Sequence, residues 1–332
     1  MKISTIKKQI HPFFLLCAFM AACTPQEHKR TLIIAHGLNT SHPVHKALEV
    51  FAQQIEQKSA GNMHARIYPA QQLGTERETL ELLQLGAISA TKVSSAVLEN
   101  FSPTFAVFSV PYLFHPSDNL YEALHQPACK EVLQTLESAA MVGLCYFSAG
   151  FRHVYTRNRP VITPQDLKGL KIRVMESNSS IRLFQQLGAA PTPISWGELY
   201  TALQQNVVEA AENNPPSYLY SRHFEVCPHY FLTYHLCLPD VLVFSKRVWD
   251  QLQPEEQLII KEAAAEAAKF QFAFWNQTEQ AILEELRGKN VQIKSIDIQP
   301  FISQTKGFAE EHLSGEALIF YEKINQYRHE SP

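Results

Sequence analysis

Glycine is scarce in this chain, with 12 among 332 residues. No glycine-rich loop is present that could cradle phosphates, and the G-x-G-x-x-G fingerprint of dinucleotide binding is missing. So are G-x-S-x-G and H-E-x-x-H, the signatures of a strained serine nucleophile and of a helical zinc pair. Positive charge is not in excess: 29 Lys and Arg stand against 32 Asp and Glu, a net of −3. That balance offers no electrostatic footprint for nucleic acid. The six cysteines form no C-x-x-C and no zinc-ligand spacing. There is no internal repeat, low-complexity tract or run of like charge. The expectation is a protein that is not an enzyme and uses neither cofactor nor metal.

Long apolar runs are also lacking, and the longest marks export. Lys2, Lys7 and Lys8 precede an apolar stretch from Phe13 to Ala22. It is too short to span a bilayer and fits a signal peptide over residues 1–22. It ends in Met20-Ala21-Ala22-Cys23, small residues before a cysteine, which resembles the lipobox of bacterial lipoproteins. On that reading Cys23 is lipidated, residues 23–30 are a linker, and the protein is periplasmic and membrane-anchored. The plainer alternative is cleavage after Ala21 or Ala22, with Cys23 incidental. Losing three lysines with the signal takes the net charge from −3 to −6. An anionic protein that binds an anion needs a local cluster of positive charge, which makes its arginines informative. An oxidising compartment permits disulfides. Cys129, Cys145, Cys227 and Cys237 read as buried or free thiols, and Cys227–Cys237 is the one pairing to weigh.

What remains is ordinary globular composition, 45% hydrophobic and 18% charged. The length suggests two domains. Residues 31–35 read as a buried strand. Ser41 to Lys58 reads as a helix, with Val44, Leu48, Phe51 and Ile55 at helical spacing. Residues 64–68 read as a strand ended by Pro69. Thr75-x-x-Glu78 is a capping box opening a helix that Gly86 closes. A strand-then-turn pattern runs from Ile88 to Val97. The second half repeats this logic, with a strand from Leu170 to Met175, a capping box at Ser195-x-x-Glu198, and a strand from Val207 to Ala211. Alternating strands and helices predict an α/β fold with mostly parallel pairing. From Pro254 to Gly288 no proline or glycine interrupts a run rich in helix formers. A helix that long reaches about 50 Å at 1.5 Å per residue, enough to lie across two domains.

The residues that suggest chemistry gather between Gly150 and Pro216. Arg173 sits in a strand whose other face is apolar. It reads either as half of an internal salt bridge or as a two-pronged fork for a ligand carboxylate. Arg152 is either a surface charge or a second anion contact. Trp196 packs helix on sheet or offers a stacking face. Asn213 is a turn residue or stands at the carboxyl end of a strand, where α/β sheets bind ligands. Outside that stretch, Glu76 lies in a first helical turn, which by itself accounts for an acid there. Lys92 interrupts an apolar strand and is a candidate for pointing into a cleft. His42 and His45 have no companion ligands that would make a metal site.

At these residues the chain resembles the solute-binding subunit of tripartite ATP-independent periplasmic (TRAP) transporters, of the dicarboxylate-binding-protein type. The resemblance covers nearly all of residues 31–325. It is strongest in YPAQQLGTERETLELLQLG, FSVPYLF, DLKGLKIRV, GAAPTPISWGELYTALQQNVVEAAENNPPS and SRHFEVCPHY. It implies a periplasmic binding protein fold of two α/β domains, residues 31–149 plus 240–278 and residues 150–239 plus 279–328, joined by crossover strands and a long helix. It implies that Arg173 pairs with a ligand carboxylate, that Arg152 is a second such arginine, and that Trp196 and Asn213 line the pocket. Glu76, Lys92 and His42 match the positions of further polar contacts. The implied partners are a small organic acid and the membrane permease subunits. Sialic-acid binders of the family carry a glutamate and an arginine where this chain has Ser94 and Val97, which argues against that ligand. The Thr91–Ser94 and AENNPPS runs are similar to binders of uronates, so the expected ligand is a hexuronate such as glucuronate or galacturonate. An aldonate, a dicarboxylate, sialic acid, or ligand sensing for a signalling receptor are the alternatives. Relatives often carry arginine where this chain has Cys237, which leaves the exact acid open.

Overall fold

The computed structural model describes residues 29–330, so the export segment and Cys23 lie outside the described residues. The strands are β1 (Arg30–His36), β2 (Met63–Tyr68), β3 (Ala90–Ser94), β4 (Met141–Phe147), β5 (Arg152–Thr156), β6 (Lys171–Val174), β7 (Ala190–Pro193), β8 (Ala210–Asn213), β9 (His229–Leu236), β10 (Asp240–Ser245) and β11 (Gln292–Ser295). They form two sheets with helices packed on them. The first has the order β2-β1-β3-β10-β4 and the second β11-β9-β5-β8-β6-β7.

The α/β expectation holds, but the pairing is more mixed than mostly parallel. β1 runs parallel to β2 and β3, and β6 parallel to β7 and β8. However, β10 is antiparallel to both β3 and β4, and β5 is antiparallel to both β8 and β9. These are the strands on which the chain changes sheets. It leaves the first sheet after β4 and enters the second at β5, then returns from β9 to β10 across Cys237, Leu238 and Pro239. A strand that arrives from another sheet needs no helical crossover, so nothing obliges it to run parallel.

The first helix spans Pro43–Lys58, with His42 rather than Ser41 as its cap. The Thr75/Glu78 capping box forms with both reciprocal bonds, and Gly86 ends that helix at φ 74°. The Ser195 box does not form. Ser195 Oγ donates to the Glu198 carboxylate instead, and residues Trp196–Glu198 make a 3-10 turn before the helix Leu199–Gln204. The strand expected at Val207–Ala211 is displaced to Ala210–Asn213, because Val207 still closes the preceding turn, its N–H donating to Ala202 O. All four described cysteines are buried and unpaired, Cys227 and Cys237 among them.

The long helix spans Pro254–Gly288. Its first half presents Ile260, Ala263, Ala264 and Ala267 to Leu48, Phe51 and Ile55 of the helix Pro43–Lys58, against the first sheet. Alanines at that face let the helices lie close. Its far end places Ile282 and Leu286 in the core of the second sheet, with Leu199, Tyr218 and Tyr230. One helix therefore spans both halves of the molecule.

Candidate functional site

A cleft opens between the sheets where the parallel strands β1, β3, β6 and β8 end and the antiparallel strands β5 and β10 begin. Topology thus brings residues from five strands, and from the loop after β1, to one rim, the place where α/β sheets bind ligands. Six of the seven candidate ligand residues line it: Glu76, Lys92, Arg152, Arg173, Trp196 and Asn213. His42 does not. Its Nδ1 accepts the Val44 amide as a helix cap, and its Nε2 bonds Ser217 Oγ at 3.3 Å. Since Nδ1 accepts, Nε2 carries the proton and donates. Burial holds this ring neutral, its pKa well below the usual value. His42 therefore reaches the cleft only through Ser217. His45 turns to His36 and Glu49, so the two histidines do not converge.

Arg173 is 2% exposed. Its Nε donates to Ile194 O at 2.8 Å, and its Nη1 is buried without a hydrogen-bond partner. Its guanidinium carbon stands 5.9 Å from the Trp196 ring centroid. Among the described residues no carboxylate forms an ion pair with it, so the internal salt bridge is not its arrangement here. Burial, only partly offset by Glu212, pushes its pKa down. The site thus keeps a desolvated cation with an unused donor, which is costly unless an anion arrives.

Arg152 is arranged differently. It is buried rather than a surface charge, at 4% exposed. Its Nε and Nη2 grip the Glu212 carboxylate, Nη2 also donates to Glu212 O, and Nη1 donates to Asn213 Oδ1 at 2.9 Å. One N–H of Nη1 is left for anything in the cleft. Burial raises the Glu212 pKa, but Arg152 and His235 more than offset this and hold it at about 2. The residue signals in the sequence did not single out Glu212, although it stands directly before Asn213. Asn213 spends its carboxamide oxygen on Arg152 and the Asn214 amide, which leaves its nitrogen free to read a ligand oxygen.

At the other end, Lys92 is buried between two acids. Its Nζ lies 3.2 Å from Glu76 Oε1 and 3.2 Å from Asp240 Oδ1. Asp240 is a second residue that sequence reasoning missed; its signal was its place at the start of a crossover strand. Burial raises the Asp240 pKa, with Lys92 opposing. Glu76 also accepts the Ser94 amide, so it does more than stabilise its helix dipole. Trp196 packs against the cores of both sheets and also lines the cleft.

Both rims of the cleft are bridged. On one side Asn39 Nδ2 donates to Tyr220 O at 2.8 Å. On the other, the Glu99 carboxylate accepts from Ser177 Oγ, Ser179 Oγ and Ser179 N at 2.7, 3.0 and 3.1 Å. Asn100 Nδ2 adds a bond to Glu176 O at 2.7 Å. Ser179 opens the helix Asn178–Gln186, so Glu99 also sits at a helix N-terminus, where a carboxylate is favoured.

Known proteins are similar to this chain in sequence and fold. The family model described as bacterial extracellular solute-binding protein, family 7 (DctP), matches residues 34–315. The protein YiiZ of Salmonella typhimurium is 37% identical over 276 residues, 82% of this chain and 84% of that protein. The crystal structure of a TRAP periplasmic solute-binding protein from a Bradyrhizobium species, in complex with α/β-D-galacturonate, is 34% identical with a TM-score of 0.87, covering 90% of this chain and all (100%) of that one. One from Pseudomonas putida F1 with bound D-glucuronate is 30% identical with a TM-score of 0.85, covering 91% and 97%. The two-sheet α/β fold agrees with these structures along nearly the whole described chain. The chain belongs to the DctP family, family 7 of the bacterial extracellular solute-binding proteins, whose members serve TRAP transporters in the periplasm.

Proposed function

We propose that this protein captures a monocarboxylate sugar acid, a hexuronate such as galacturonate or glucuronate, and hands it to the membrane permease subunits of a TRAP transporter driven by an ion gradient. The observation that carries this reading is Arg173, a buried guanidinium with an unused donor beside an indole ring. Arg173 holds the ligand carboxylate through charge-assisted bonds, each worth about 1.5–3 kcal/mol net. Trp196 stacks on the sugar ring. The free N–H of Arg152 supports the carboxylate, and Asn213, Glu76 and Lys92 read hydroxyls. His42 contributes by orienting Ser217.

The charge layout favours one carboxylate over two. Lys92 already lies between Glu76 and Asp240. A second ligand carboxylate at that end would meet two acids sharing one ammonium, whereas hydroxyls can donate to those acids. The relatives crystallised with galacturonate and glucuronate support the same class. On this reading the two sheets belong to two domains that close on the ligand, residues 31–149 plus 240–278 and 150–239 plus 279–328. Cys23 carries a lipid that keeps the loaded protein near its permease.

A thermal-shift panel of uronates, aldonates, dicarboxylates and sialic acid tests the reading. A ligand at 100 times its Kd stabilises the fold by about 2.7 kcal/mol. The uronates should give the largest shift. A larger shift with a dicarboxylate, or none with any acid, contradicts the proposal.

A further inference from the structure

The segment after β2 carries an unusual backbone. Ala70 and Gln71 both have positive φ, 52° and 58°, and neither is glycine. Left-handed backbone disfavours residues with a Cβ, and such strain persists where the surrounding structure over-determines it, commonly at binding sites. Here the surroundings are backbone bonds. Ala70 N donates to Leu38 O, Gln71 N to His36 O, and Gly74 N to Gln71 O. The loop is tied to the end of β1, so the Gln71 side chain leaves from a fixed point.

That side chain enters the cleft. It passes between two glycines, one from each sheet's side. A Cβ on Gly37 would lie 3.5 Å from Gln71 Cγ and 3.9 Å from Trp196 Cδ1. A Cβ on Gly197, the residue after Trp196, would overlap Gln71 Oε1. The amide therefore lies beside Gly197, in space that a side chain there would take away. Its Nε2 is buried and has no hydrogen-bond partner. A buried amide donor left unpaired is destabilising, and a bound oxygen atom relieves it.

We infer that Gln71 is a specificity-determining residue, whose amide donates to an oxygen of the acid held over Trp196. The inference rests on the reading of the cleft as a sugar-acid site. A ring hydroxyl or ring oxygen is the acceptor, at the ligand edge beside the indole. The strained backbone is the means of placing an amide where a glycine would be conformationally easier.

The test compares wild type with Gln71→Gly and Gln71→Glu by calorimetry, after wild type has been ranked against galacturonate, glucuronate, galactonate and succinate. The best-bound acid is then used with all three proteins. Gln71→Gly removes the amide and suits the left-handed backbone, so its unliganded melting temperature should equal or exceed that of wild type. Its affinity should fall at least tenfold, and the wild-type preference between galacturonate and glucuronate should narrow. Gln71→Glu keeps the shape, removes the donors and adds a charge, so it should bind still more weakly. Unchanged affinity and unchanged preference in both variants overturn the inference. Its failure is distinct from that of the uronate reading, which fails if wild type ranks succinate first.

Discussion

Arg173 and Trp196 lie 5.9 Å apart, guanidinium carbon to ring centroid, within cation–π range. β6 supplies the cation, and the 3-10 turn after β7 supplies the ring. Register makes the pair, since β6 and β7 run parallel with Arg173 opposite Thr192. The carbonyl of Ile194, two residues before the tryptophan, then accepts the Arg173 Nε. Arg173 lines the cleft, with its Nη1 still without a hydrogen-bond partner.

Trp196→Ala should therefore weaken sugar-acid binding twice over, by removing the stacking face and by loosening the arginine. A desolvated cation–π contact contributes about 2 kcal/mol, so a loss of roughly 30-fold is expected. Trp196→Phe should keep most of the affinity. Calorimetry decides, and an alanine variant that binds like wild type removes Trp196 from the site.

The pair of Arg152 and Glu212 makes a different prediction. Removing one partner of a buried ion pair leaves an uncompensated charge, at a cost of about 3–5 kcal/mol. Glu212→Ala should lower the melting temperature by roughly 10 °C, using about 2–4 °C per kcal/mol for a chain of this size class. The double variant Arg152→Ala/Glu212→Ala should recover part of the loss. A single variant as stable as wild type contradicts the assignment.

That pair also marks how far the sequence could be read. Periodicity and stop signals located the long helix at Pro254–Gly288 and the capping box at Thr75, because these depend on neighbours in the chain. Arg173 stood out as a charge in a strand whose other face is apolar. What separates it from Arg152 was not legible: Arg152 has its carboxylate 60 positions away in Glu212, while Arg173 has none. Asp240 met Lys92 only because a returning strand pairs antiparallel with β3. Ser195-x-x-Glu198 had the right letters for a capping box, but the serine hydroxyl turned to the carboxylate instead of the backbone. Long-range pairing and side-chain competition decided each of these.

Acid should destabilise the fold in two steps. Burial lowers the pKa of His36 and His223 from 6.5 to about 3. Below pH 6.5 the unfolded chain takes up protons that the folded histidines refuse, so stability falls as pH drops from 6.5 towards 3. Glu212, with pKa about 2 against 4.5 unfolded, stabilises above pH 4.5, and its share of about 3 kcal/mol is lost as pH falls towards 2. Asp240, pushed up by burial, opposes the second step in part. Calorimetric scans from pH 7.5 to 4 should show melting temperature declining already between pH 6.5 and 5. A flat profile there contradicts the buried neutral histidines.

The Glu99 bridge should control release. It touches neither Arg173 nor Trp196, yet it holds the rim with three bonds. Glu99→Ala removes three bonds to a charged group, each worth about 1.5–3 kcal/mol net. Faster ligand dissociation by about tenfold or more in stopped-flow traces is expected, with a smaller change in association. An unchanged dissociation rate shows that the rim does not limit opening.

The central claim is that Arg173 captures the carboxylate of a sugar acid. Titrating galacturonate and glucuronate into wild type and Arg173→Lys by calorimetry tests it most directly. Lysine keeps the charge but loses the planar fork. Saturable one-site binding to wild type is expected, with at least a tenfold weaker Kd for Arg173→Lys and the melting temperature of the unliganded protein little changed. Equal affinity in the two proteins contradicts it.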